Sequence, residues 1–348
     1  MKNALVFLFL LLLSVGMTSC KQSTAVHAPD VSGVDINPEF YRIDQLIQSM
    51  NNGHLDAIDT LYKKQPELWN ILIHEIYGIW APIDSKDTAF IHQWNSINQD
   101  TINRIISHKI DSVYRDITPY KQELIQSLKY LRYYFPNKRI PDIYFVNSYL
   151  SVAHFLFEDN RHREGLGIGL DFYLGSSFPY ALLSQANPIF SKYISRYFHP
   201  RYLVRGAMWS IVEDLAGEPT GHRMLDIMVH NGKKLFVLQK LMPGTPDSIL
   251  INYTPQQMQW VKDNVKEMWA LFLNKKLLYE STSRKIKTYI SQAPTSRYMP
   301  KASPGRTANW VGWQIIRRYM RRHPQTTLQE LLSLQDAQRI LTESKFKP

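Results

Sequence analysis

The apolar positions change their period twice along this chain. Phe40, Ile43, Leu46, Ile47 and Met50 recur at helical spacing until Asn52-Gly53 interrupts them. His54 to Lys64 and Pro66 to about Trp80 carry two further helical patterns, the second opened by a proline suited to a first turn. Ile97, Ile102, Ile105, Ile106 and Ile110 stripe a helix from Ile97 to Val113. Thr118 to Tyr134 carries the next, closed by Phe135-Pro136-Asn137. The spacing then becomes that of strands. Asp142 to Tyr149 alternates in part, Ala153 to Phe157 is a short apolar run, and Gly165 to Tyr173 sets Leu166, Ile168 and Leu170 on one side of an extended chain. After Gly175 the helical period returns over Phe178 to Ala186, Pro188 to Arg196, Arg201 to Ala216, His222 to Met242, Thr254 to Asn274, Thr282 to Ala293, Ala308 to His323 and Thr327 to Lys345. The pattern predicts an α+β fold, a mainly helical body around a small sheet. Short turns between its three strands make that sheet antiparallel in expectation.

The first residues follow a different logic. Met1-Lys2-Asn3 is a short positive start, Ala4 to Leu13 are ten unbroken apolar residues, and Ser14 to Ser19 are small and mildly polar before Cys20. That is the layout of a secretory signal, too short in its apolar core for a membrane-spanning helix. Met17-Thr18-Ser19-Cys20 resembles a bacterial lipobox, with Met17 where Leu is preferred. The expected organisation is a lipoprotein signal over residues 1–19 and a lipid (palmitate-type) attachment at Cys20. A flexible tether follows over residues 20–38, then a single domain over residues 39–348. Cys20 is the sole cysteine, so a disulfide within the chain is excluded.

Composition narrows the classes. With 44% hydrophobic and 12% aromatic residues in 348, the chain can bury a large core and is not a disordered sequence. The net charge of +11 would suggest nucleic acid in a cytoplasmic protein. Export directs it instead toward anionic headgroups, envelope glycans or acidic proteins, or simply toward solubility.

The chemistry is incomplete wherever it begins. His74-Glu75 opens like a zinc peptidase motif, but Gly78 stands where the second histidine belongs. Asp226 and His230 share a helix face, yet Ile227 occupies the general-base position and cannot activate water. A degenerate zincin-like core is therefore an analogy of fold, with no metal or other cofactor expected. Gly165, Gly167 and Gly169 fail the dinucleotide spacing, and a strand edge with close backbone contact explains them better. Asp171, after those glycines, is a candidate cap or pocket residue. Arg306, just before a helix, is placed to grip a carboxylate or phosphate, or to tie its loop to a buried acid. Arg317, Arg318, Arg321 and Arg322 form like-charge pairs on one helix, a solvated face or a basic patch.

Several segments resemble, in order and spacing, the gliding-motility lipoprotein GldB family of Bacteroidetes. They are Phe135-Pro136-Asn137 to Pro141, Gly167 to Gly175, Asp226 to Lys234, Tyr253 to Trp260, Met268-Trp269, Pro304-Gly305-Arg306, Trp310 to Ile316 and Ser344 to Pro348. The resemblance runs from about residue 40 to the C-terminus. It implies an envelope lipoprotein supporting gliding or the linked secretion machinery, and with no complete catalytic set in the chain the expectation is a non-enzymatic role through protein contacts. Its partners would be the membrane, through its lipid, and other envelope or secretion proteins. No acidic cluster follows Cys20, so the body is expected to face the periplasm from the outer membrane. An envelope peptidase or peptidoglycan hydrolase, and a periplasmic binding module using Asp171 or Arg306, are the alternatives.

Overall fold

The computed structural model describes residues 28–348, so Cys20 and the signal-like segment lie outside them. Val31 to Pro348 form one compact unit. Residues 31–38, read as tether, are packed in part: Val31 is buried, and Val34 and Ile36 lie against the core.

The sheet has four strands in the order β1-β2-β4-β3, with β1 at Phe40–Arg42, β2 at Asp142–Val146, β3 at His154–Glu158 and β4 at Glu164–Gly169. It is mixed. The β3–β4 hairpin is antiparallel as expected, but β4 inserts between β2 and β3 and runs parallel to β2, and β1 runs parallel to β2. Two causes separate this from the expected sheet. Residues 147–153 do not form a hairpin turn but carry the chain across one strand position. Phe40–Arg42, whose apolar residues fit the following helix pattern, pairs with a strand that begins 103 positions after Glu39.

Each strand alternates between two apolar layers. Ile143, Phe145, Leu166 and Ile168 enter the larger core, while Tyr144 and Val146 enter the smaller one with Phe155 and Phe157 packed against it. The smaller layer comes from α1 (Ile43–Asn51), α2 (Ala57–Lys64), α3 (Pro66–Asn70) and α4 (Thr88–Gln99). The helix expected from Ile97 to Val113 is divided at Asp100, so that Ile97 belongs to α4 and the next helix opens at Thr101. The helix expected to reach Trp80 becomes a π-helical turn over Ile71–Ile76. The larger layer comes from α5 (Thr101–Val113), α6 (Thr118–Tyr134), α7 (Leu203–Ala216), α8 (Met224–Leu241), α9 (Pro255–Asp263), α10 (Val265–Asn274), α11 (Ser283–Ile290), α12 (Thr307–Arg322), α13 (Leu328–Ser333) and α14 (Ala337–Ser344). The helix read over Thr254 to Asn274 is two, divided at Asn264, and that over Thr327 to Lys345 is also two.

The strand glycines have a packing cause. A Cβ on Gly165 would lie 2.3 Å from the Phe157 ring, and one on Gly167 would lie 2.2 Å from the Phe155 ring. Each phenylalanine is the registered partner of the glycine it covers. The strand is central rather than the expected edge, with β2 and β3 on either side, and the rings fold over its bare backbone, the arrangement that lets glycine stand inside a sheet.

Candidate functional site

Asp171 follows β4 and is fully buried. Its carboxylate accepts from the Ser148 amide at 2.9 Å, the Ser148 hydroxyl at 2.8 Å and the Leu150 amide at 2.5 Å. Tyr149 and Leu150 hold left-handed backbone, with φ of +50° and +63°. Asp171 is thus the clamp of the strained β2–β3 connection. Burial pushes its pKa up to about 6, against the three hydrogen bonds that favour its charged form. The clamp sits at the carboxyl ends of β2 and β4, where open α/β sheets commonly bind ligands.

Asp226 is the third residue of α8 and engages Arg223, not His230. Arg223 donates to it through Nε at 2.9 Å, Nη2 at 2.7 Å and its own amide at 3.0 Å, completing a capping box. Burial opposes the carboxylate, but the Arg223 guanidinium holds its pKa below the usual value. His230 is buried one turn on, and its Nε2 has no hydrogen-bond partner. Burial, then the nearby Lys234 and Lys233, push its pKa down to about 4. His74 contacts the Ile79 carbonyl through Nδ1 at 2.5 Å and stacks on Trp80. Among the described residues, no group of three or more His, Cys, Asp or Glu gathers as a metal site.

Arg306 is the position where charge collects. It caps α12 in left-handed backbone (φ +58°). Gly305 before it presses on Ala293, where a Cβ would lie 2.5 Å from the amide nitrogen, and the Gly305 carbonyl accepts from Tyr253 Oη at 2.7 Å. Arg306 Nη1 donates to the Ile251 carbonyl at 3.2 Å. One residue earlier in the same turn, the Leu250 carbonyl takes both Nε and Nη2 of Arg205, at 3.0 and 2.7 Å. Arg205 lies on α7, is only 6% exposed, and stacks over Trp209 at 4.6 Å. Burial, then the neighbouring Arg306, lower its pKa to about 9. Lys234 of α8 stands over the same indole at 5.1 Å and pairs with Glu213 at 3.3 Å. These groups, with Asn231 and Asn309, line a cavity of about 170 Å³.

The Asn231-Gly232-Lys233-Lys234 run becomes legible residue by residue. Asn231 donates to Asn309 Oδ1 at 3.1 Å, and Gly232 lets α8 touch α12. Lys233 reaches the Leu334 carbonyl at 2.6 Å beyond the end of α13, and Lys234 enters the cavity. Arg205 was absent from the sequence candidates. Its signal was a lone cation early in an otherwise apolar helix, Leu203-Val204-Arg205-Gly206-Ala207-Met208. Arg306 and Asp171, paired as alternatives for one pocket, have separate partners. Of the basic run on α12, Arg317 is held by Asp247 in a bidentate pair at 2.6 and 2.8 Å.

A family model described as gliding motility protein GldB matches residues 24–348. No curated protein and no solved structure matches the chain.

Proposed function

The chain belongs to the gliding motility protein GldB family, and from that premise we propose that it is an envelope lipoprotein, anchored through Cys20, that supports gliding or the linked secretion machinery through protein contacts. The observation that carries this reading is the family match over nearly the whole chain. The lone cysteine after an apolar run agrees with it, and two acyl chains on such a residue make attachment durable. No helix among the described residues is long and apolar enough to cross a membrane. The body faces the periplasm from the outer membrane and works without catalysis. Asp226 is committed to Arg223, Ile227 offers no base, and His230 Nε2 has no hydrogen-bond partner among the described residues, which leaves the zincin analogy without working parts.

The test is affinity capture from cross-linked envelopes, with wild type compared to Cys20→Ala, beside assays of spreading and secretion. Wild type is expected to capture envelope or secretion proteins from the membrane fraction, and Cys20→Ala to lose both capture and function. Equal function in the Cys20→Ala strain sinks the anchoring claim. Removal of the protein by protease from intact cells sinks the periplasmic orientation. Stoichiometric zinc in the purified protein, lost in His230→Ala, sinks the non-enzymatic claim.

A further inference from the structure

Two guanidinium groups meet beneath the surface between α7, α8 and α12 with no carboxylate of their own. Arg205 and Arg306 donate to the consecutive carbonyls of Leu250 and Ile251, and neither forms an ion pair among the described residues. Glu213 is the one carboxylate lining the cavity, and it is paired with a third cation, Lys234. Three cations against one carboxylate leave the cavity positive by two charges. Taking charge out of water without a counter-charge is costly, and two neighbouring cations repel each other as well. Carbonyl oxygens satisfy some of the N–H groups but neutralise none of the charge.

The donors are not exhausted. Arg205 uses Nε and Nη2 on a single carbonyl, which leaves Nη1 uncommitted, and Arg306 uses only Nη1. Stacking on Trp209 fixes the plane of Arg205, so its fork is pre-organised. Asn309 is anchored by donating to the Ile290 carbonyl at 3.0 Å and by accepting from Asn231, which leaves Asn231 Oδ1 as an acceptor beside the cations. Glu213, with its side chain 50% exposed, and Lys234 mark the approach from solvent. A volume of about 170 Å³ suits a small charged group.

We propose that the cavity between Arg205, Arg306 and Lys234 binds the oxyanion group of a small molecule, a phosphate monoester or a carboxylate. The oxyanion supplies the counter-charge that the fold omits, and both guanidinium groups meet it with N–H donors left free by their carbonyl contacts. Because the site lies in the folded body, it is independent of the anchoring at Cys20.

The test uses the detergent-solubilised full chain and thermal unfolding in inorganic phosphate, in acetate, and in sodium chloride of matched ionic strength, with isothermal titration for affinity. Phosphate or acetate is expected to raise Tm above the chloride control, and the better of the two assigns the group. Arg306→Lys is expected to weaken that binding by tenfold or more. Arg205→Lys disturbs the buried turn and serves only if it folds. Lys234→Gln leaves both carbonyl contacts intact and is expected to weaken binding about threefold. Equal Tm in all three salts overturns the proposal. So does a phosphate or acetate effect that survives undiminished in both Arg306→Lys and Lys234→Gln, which would mark anion binding elsewhere on a basic surface.

Discussion

Gly232 and Gly312 meet backbone to backbone where α8 crosses α12. A Cβ on Gly232 would lie 2.4 Å from the Gly312 carbonyl carbon, and one on Gly312 would lie 1.9 Å from the Met228 carbonyl oxygen. Neither obstacle is a flexible side chain, so the helices themselves would have to part. Gly312→Ala is therefore expected to destabilise the protein by about 3 kcal/mol or more, the upper range for overpacking a filled core. Gly33→Ala, where a Cβ would meet nothing within 4 Å, is the control and should stay within about 0.5 kcal/mol. Urea unfolding of both variants decides it. Equal stability in the two means that this crossing can relax.

The sheet offers a double-mutant cycle. Gly167→Ala should be costly because the Phe155 ring occupies the Cβ position, and Phe155→Ala should cost about 2–4 kcal/mol by uncovering the glycine strand. Combined, they should cost less than their sum by about 1 kcal/mol or more, since the second change opens the space the first one needs. Strict additivity would mean that the ring swings aside freely.

Two buried groups pull the pH profile in opposite directions. Asp171 is raised to about 6, so its contribution to stability is full below about pH 4 and is lost as pH rises toward 6. His230 is lowered to about 4, so its contribution is full above about pH 6.5 and is lost as pH falls toward 4. Each amounts to roughly 3 kcal/mol across its window. Asp171→Asn should make stability climb more steeply from pH 4 to 6, whereas His230→Gln should flatten or reverse the climb. Unfolding free energies at several pH values measure both slopes. Unchanged slopes would remove these groups from the titration.

Asp226→Asn is expected to cost about 1 kcal/mol, the worth of a helix cap and a half-exposed ion pair. It should leave metal content as in wild type. A loss of several kcal/mol, or of a bound metal, would give Asp226 a larger role than closing the first turn of α8.

Long helices were legible in the sequence because local spacing records them: Thr118–Tyr134 was read at its observed bounds. Phe178 to Ala186 and Pro188 to Arg196, expected as helices, form short 3-10 turns and one four-residue helix. Long-range relations were not. Phe40 and Ile143 pair in register, but nothing near either residue specifies the other. Gly167 advertised a close contact without naming Phe155. At the cavity, Arg306 was found from its place before a helix. Arg205 reads locally as an ordinary helix residue, and only the tertiary fold sets it beside Arg306. Asp226 and His230 shared a helix face as expected, but the face did not reveal that Arg223 would take the carboxylate.

The first strand of the sheet has a consequence for the order in which the molecule folds. Phe40–Arg42 precedes by about a hundred residues the strand it pairs with. Until β2 arrives, α1 to α4 lack the surface that Tyr144 and Val146 supply to their core, and closing so long a loop must precede the reward of the contact. The N-terminal layer is thus sealed only when the middle of the chain docks on it, and the sheet is the seam along which the two apolar layers become native together.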